Sequence, residues 1–253
     1  MAVCSPIKVM KPNVTTKWIR NKEGHKEMEN NAAIAQWMKQ HNLIPKESFA
    51  AALRRLARHY QRENHIRSME DVYQKIGLRK EYLYYWEKHP YSTQTKNFKY
   101  KVIRAVAREF RIDTDGEERL ANKAGLSMQA DAHFQEYLIS LIENKTQIKK
   151  IYEHAQISER MFQYIKHGRI PTKQSLIAIA AALELGLEEI KQLLSKAGYA
   201  LSDSIAWDMI VETLLKQIEA TGDYRNAVAR INDVLFDLGL PLLMTREKKN
   251  RDN

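Results

Sequence analysis

The chain has 253 residues, of which 44% are hydrophobic and 28% charged, and its formal net charge is +10. That length holds two small domains with cores of their own, and that apolar content excludes a wholly disordered chain. The positive balance favours a polyanionic partner, while a single cysteine, Cys4, excludes an internal disulfide and a multi-cysteine zinc site.

The charge is uneven. Residues 1–130 hold 25 Lys and Arg against 14 Asp and Glu, or +11; residues 131–253 hold 16 against 17, or −1. No run approaches the roughly 18 apolar residues of a membrane-spanning helix. The N-terminus M-A-V-C-S-P-I-K-V-M-K-P lacks a signal-peptide core, and Ala2 stands where N-myristoylation needs glycine. The expectation is a cytoplasmic protein with no membrane partner.

Along the chain the apolar spacing is helical nearly throughout. Gly77, Gly125, Gly168, Gly186, Gly198, Gly222 and Gly239 fall where a helical pattern stops, so the expected fold is all-α. Residues 1–30, polar and broken by Pro6, Pro12 and Gly24, read as a loosely ordered arm. A short helix is expected over 31–41, with Ile34, Trp37 and Met38 on one side. Ser48 is a candidate N-cap for a long helix striped by Phe49, Ala52, Leu53, Leu56, Ala57 and Tyr60. Arg54, Arg55, Arg58 and Arg62 lie off that stripe, where they either bind phosphate or form an ordinary solvated face.

A pattern then occurs twice. M-E-D-V-Y-Q-K-I-G-L-R-K-E-Y-L-Y-Y-W from Met69 matches I-K-K-I-Y-E-H-A-Q-I-S-E-R-M-F-Q-Y-I from Ile148 at a shift of 79. V-I-R-A-V-A-R-E-F-R-I (102–112) matches S-L-I-A-I-A-A-A-L-E-L (175–185), and K-A-G (123–125) matches K-A-G (196–198), at a shift of 73. Six extra residues therefore fall in the first copy, and a longer loop is expected near 89–98. Repeats at this spacing mark one supersecondary unit used twice.

The second copy has the pattern of a helix-turn-helix, which holds two short helices at a fixed angle so that the second presents side chains to the major groove. Its five helices are expected over F-Q-E-Y-L-I-S-L-I-E-N-K (134–145), then 147–155, 158–167, 173–185 and 188–197. Ile151, Ile157, Phe162 and Ile165 are candidate core, with Leu176, Ile179, Ala180 and Leu183 beneath. On its third helix Ser158 is a cap. Glu159, Arg160, Gln163 and Tyr164 face outward with Ser158 as base-reading candidates, and Lys166, His167, Arg169 and Lys173 as phosphate candidates. In the first copy Leu83 and Trp86 face inward. Lys80, Glu81 and Tyr85 are its base-reading candidates, and Lys88, Lys96 and Lys99 its phosphate candidates. Tyr82, Tyr84, Tyr85, Tyr91 and Tyr100 either stack on unpaired bases or, the preferred reading, pack the two repeats together.

Residues 132–198 resemble the lambda-repressor-like (Cro/repressor type) helix-turn-helix family, through S-E-R-M-F-Q-Y-I-K-H-G-R and I-A-I-A-A-A-L-E-L-G-L-E-E-I. The resemblance implies base reading by Glu159, Arg160 and Tyr164 and phosphate contacts by Lys166, Arg169 and Lys173. The first copy is divergent. The continuation W-D-M-I-V and I-N-D-V-L-F-D-L-G-L-P-L-L resembles a tail seen on bacterial helix-turn-helix proteins.

The expected organisation is an arm (1–30), a first basic helix-turn-helix-like domain (31–130), a second (131–200), a C-terminal helical pair (201–245) and a charged tail (246–253). The pair carries more apolar positions than a hairpin covers, so residues 203–240 either form a homodimer interface or close over the second repeat. No Walker loop, G-x-G-x-x-G or H-E-x-x-H is present, and the histidines show no metal-site spacing. No catalytic residue, metal or cofactor is expected. The leading reading is a sequence-specific double-stranded DNA-binding regulator of bacterial or mobile-element origin. The alternatives are an adaptor or antitoxin-like component that docks a protein effector, or an RNA or single-strand binder.

Overall fold

Five helix starts follow caps written in the sequence. In this computed structural model, which describes residues 30–92, 95–145 and 150–243, Ser48, Ser68, Asp113, Ser158 and Thr172 each sit in extended backbone. Each accepts a hydrogen bond from the amide three residues on, satisfying one of the unbonded amides of a first helical turn. The described residues form thirteen helices and no strand, an all-α fold over that part of the chain. No helix among them is long and apolar enough to cross a membrane. The arm expected over 1–30 lies, but for Asn30, outside the described residues, as do Cys4 and the tail over 246–253.

The chain divides into two units, residues 1–42 and 43–253. In the first, α1 covers residues 30–40, and the rings of Trp37 and His41 stack 3.8 Å apart at its end. The second unit holds everything else. Its first five helices are α2 (Phe49–Glu63), α3 (Met69–Lys75), α4 (Lys80–Lys88), α5 (Lys96–Glu109) and α6 (Thr114–Lys123). The next five are α7 (Phe134–Asn144), α8 (Ile151–His154), α9 (Glu159–Lys166), α10 (Lys173–Ala182) and α11 (Leu187–Lys196). The helix expected over 147–155 is therefore described only from residue 150, and α8 is its described part.

The two sets share part of their packing. α2 rests on α4 and α6 as α7 rests on α9 and α11, and α5 on α6 as α10 on α11. The backbone repeats too. Gly77 and Gln156 (φ 64° and 55°), Arg111 and Glu184 (both 53°), and Gly125 and Gly198 (71° and 74°) take left-handed conformations at matched positions. Left-handed residues are common at helix ends, and here they recur at positions the two sequence copies share. Gly186 corrects the expectation that it ends a helix: Glu184 closes α10, and Gly186, extended at φ −67°, opens α11.

The longer loop expected near 89–98 is also corrected. α4 and α5 are separated by residues 89–95, and α9 and α10 by 167–172, nearly equal spans. The additional residues instead lengthen helices, above all α5, which starts one turn earlier than its counterpart α10.

The copies meet at their matched ends. Leu126 and Tyr199 form an isolated antiparallel bridge, in which the Ser127 amide donates to the Gly198 carbonyl (3.4 Å) and the Ala200 amide to the Gly125 carbonyl (3.1 Å). The Tyr100 hydroxyl, 2.7 Å from the Ser127 carbonyl oxygen and 2.6 Å from that of Gly198, donates across the same junction. A Cβ on Gly198 would meet that hydroxyl oxygen at 2.6 Å and displace it, and the left-handed φ of 74° favours glycine there as well.

Two further helices, α12 (Ala206–Thr221) and α13 (Ala227–Asp237), cover the second copy: α12 packs on α11 and α13 on α10. Trp207, Ile210, Val211, Leu215, Ile218, Val228, Ile231 and Leu235 are buried within the chain, while Phe236 is 73% exposed. The Trp207 indole donates to the Pro241 carbonyl (2.7 Å), and Asn232 bridges Gln156 and the Leu243 amide. The surplus of apolar positions that argued for a homodimer is thus largely accounted for inside one molecule.

Candidate nucleic-acid interface

The outward face of α9 follows from what the helix buries. Phe162 and Ile165 are core, so Glu159, Arg160, Gln163 and Tyr164 are left exposed at helical spacing. Ser158 is exposed at the helix start and its hydroxyl accepts from the Met161 amide (3.2 Å), which commits that oxygen to the cap. Arg160 is braced along the helix: its Nε donates to the Tyr164 hydroxyl (2.7 Å), and its guanidinium lies over that ring at 5.3 Å. The far end is held from α7, where the Gln135 side-chain amide donates to the carbonyls of Ile165 (2.6 Å) and Lys166 (2.9 Å). His167 and Arg169 are exposed beyond it and Lys166 is half-buried.

On α4, Lys80, Glu81 and Lys88 are exposed, with the Lys88 ammonium over the Tyr84 ring at 5.0 Å. Tyr85 is half-buried and its hydroxyl pairs with Ser92 (3.2 Å). The four arginines of α2 divide into two kinds. Arg54 donates to Glu87 from both terminal guanidinium nitrogens, and Arg55 is bidentate on Glu47 at 3.0 and 3.0 Å. Those guanidinium bonds hold both carboxyls below the usual range. The side chains of Arg58 and Arg62 are exposed and make no hydrogen bond or ion pair among the described residues.

Three predicted phosphate contacts are elsewhere. Lys96, Lys99 and Lys173 turn into the junction between the copies, and none is on the open surface. Lys96 donates to the Ala197 carbonyl (2.8 Å) with its ammonium 3.7 Å from the centre of the Tyr199 ring. Lys173, 5% exposed, bonds both oxygens of Asp208 at 2.6 Å and also the Ala200 carbonyl. Asp208, 1% exposed, accepts in addition from the Ser202 amide at 2.9 Å. Burial works to lower the Lys173 pKa and raise that of Asp208, each opposed by the partner's charge. Lys99 is 3% exposed, and burial pushes it and Lys96 down to about 8. A phosphate on the surface does not reach the buried ammoniums of Lys99 and Lys173, whereas Lys96 is half-buried with its ammonium bonded to the Ala197 carbonyl.

Comparison with family models, with curated proteins and with solved structures finds no match to this chain. The site therefore stands on its own geometry: an exposed polar helix face on α9, a second on α4, and two unpaired arginines on α2. Asp208 is the residue sequence reasoning missed. Its signal was an acid placed directly after Trp207 inside the apolar run of α12, a position where a carboxylate needs a buried cation. Among the described residues no group of three metal-binding side chains comes together.

Proposed function

We propose that the protein binds double-stranded DNA and reads sequence with α9, the third helix of a helix-turn-helix-like second copy. The observation that carries this reading is the face on which Arg160, Gln163 and Tyr164 stand exposed on a short helix capped by Ser158 and braced by Gln135. A rigid helix that offers a guanidinium fork and an amide is what major-groove recognition uses: Arg matches guanine and Gln matches adenine. Affinity comes from phosphate contacts, for which Arg58, Arg62, Lys80, Lys88, His167 and Arg169 are the exposed candidates.

Gel shifts with random duplex, single-stranded DNA and RNA at two salt concentrations test the proposal. Duplex binding that weakens with salt is the expected result; stronger binding to RNA or single strands, or none to any of the three, overturns it. One observation favours a second reading, docking on a protein. Ile170, just past α9, is 65% exposed and Tyr164 on α9 is 42% exposed, and Glu159 opens that helix, an apolar and acidic mixture that suits a protein partner as well as a groove.

A further inference from the structure

At the junction of the two copies lies a cavity of about 20 Å³, lined by Lys96, Lys99 and Lys173 together with Asp208, Tyr199 and Gln174. Asp208 is the only carboxylate in that lining, against three lysines. Two of the three are already bonded: Lys173 donates to Asp208 and the Ala200 carbonyl, and Lys96 bonds the Ala197 carbonyl and lies over Tyr199. Lys99 is different. It is 3% exposed and has no hydrogen bond or ion pair among the described residues. Its side chain lines the cavity with no bonded acceptor, and of the charges beside it Lys173 repels it while Asp208, already shared with Lys173, attracts it.

We propose that this cavity binds a small monovalent anion of chloride size, with Lys99 as its principal ligand and Lys173 as the neighbouring charge. An anion both accepts from Lys99 and offsets the excess positive charge, whereas a water molecule supplies only the acceptor. The volume sets the class. A single water needs roughly 10–15 Å³ in this measure, so about 20 Å³ admits one water-sized or chloride-sized occupant and leaves no room for phosphate. The ligand also sits where it matters structurally, against Gly125 and Leu126 of one copy and Tyr199 of the other. Binding it ties the bridge between the copies to the Lys173–Asp208 pair. The inference does not depend on DNA binding.

Thermal unfolding of the full chain, without nucleic acid and at neutral pH, tests it. Sodium chloride is compared with sodium gluconate and sodium phosphate at equal ionic strength. A ligand that binds only the folded state raises the midpoint with its concentration. The expected result is a midpoint that rises and saturates with chloride, stays flat with gluconate and phosphate, and loses its chloride dependence in Lys99→Met. Equal midpoints in chloride and gluconate, a rise with phosphate alone, or a chloride dependence that survives Lys99→Met overturns the proposal. A bromide soak of wild-type crystals gives a second readout that needs no variant: an anomalous peak beside Lys99 Nζ supports the site, and its absence at saturating bromide overturns it.

Discussion

Arg160 reaches outward from a fixed base, because Tyr164 holds its Nε and stacks beneath its guanidinium. Arg160→Ala is expected to cost about 1–3 kcal/mol on a cognate duplex and little on random DNA. Equal losses on both, measured by gel shift, would reduce Arg160 to a backbone contact. The buried lysines make a second prediction, in pH. Lys96 and Lys99 have pKa values of about 8 in the fold against 10.5 when unfolded, so between those values the unfolded chain binds more protons. Stability must therefore rise as pH increases from about 8. Tyr100, pushed up to about 12 by burial, acts in the opposite sense: above its unfolded value of 10.0 the unfolded chain releases the proton first, and stability falls. Denaturant midpoints should climb through mildly alkaline pH and turn down above about 10; a flat profile would show that the lysines are solvated. At the Lys173–Asp208 pair, Lys173→Met alone is expected to destabilise by about 3–5 kcal/mol by stranding the buried carboxylate, with recovery in Lys173→Met/Asp208→Leu. Urea unfolding of both variants decides this, and no recovery in the double variant contradicts it.

At the scale of helices, the cap on α9 separates folding from recognition. Ser158→Ala removes the acceptor for the Met161 amide and should cost about 1 kcal/mol, read as a lower unfolding midpoint with the salt slope of DNA binding unchanged. On α2 the free arginines should hold phosphates. Arg58→Glu/Arg62→Glu is expected to lower the salt slope by about 0.9 for each phosphate no longer neutralised. An unchanged slope would remove α2 from the interface. The helices themselves were legible from the sequence because caps, apolar stripes and the doubled pattern all act locally. The inward residues of α9 and α10 were legible for the same reason: Phe162, Ile165, Leu176 and Ile179 follow the period that buries them. Charge was not legible in this way. Lys173 and Arg169 look alike in sequence, yet one is buried and the other exposed, because the partner that decides it, Asp208, comes from α12. Likewise Arg54 and Arg55 look as free as Arg58 until Glu87 and Glu47 are placed beside them in space. The extra residues of the first copy were counted correctly but assigned to a loop, since a shift in register does not say whether it lengthens coil or adds another turn to α5.

At the scale of the molecule, α12 and α13 are part of the core. A chain ending near Tyr199 lacks Asp208 and uncovers α10 and α11, so it should unfold, while the full chain should scatter as a monomer. Light scattering and circular dichroism on the two forms check this, and a folded truncation or a full-length dimer contradicts it. The bridge between the copies has a larger consequence. Leu126 opposes Tyr199, and the two amide bonds that flank them run from one copy to the other and back between matched residues. Reciprocal contact of this kind is the signature of an isologous interface, in which each subunit offers the other the same patch. Here both subunits are on one polypeptide. A two-fold dimer must carry every substitution twice, once on each side of its axis; this chain carries each once. Its halves can therefore differ while sharing the K-A-G joint: residues 1–130 carry a charge of +11 and residues 131–253 carry −1.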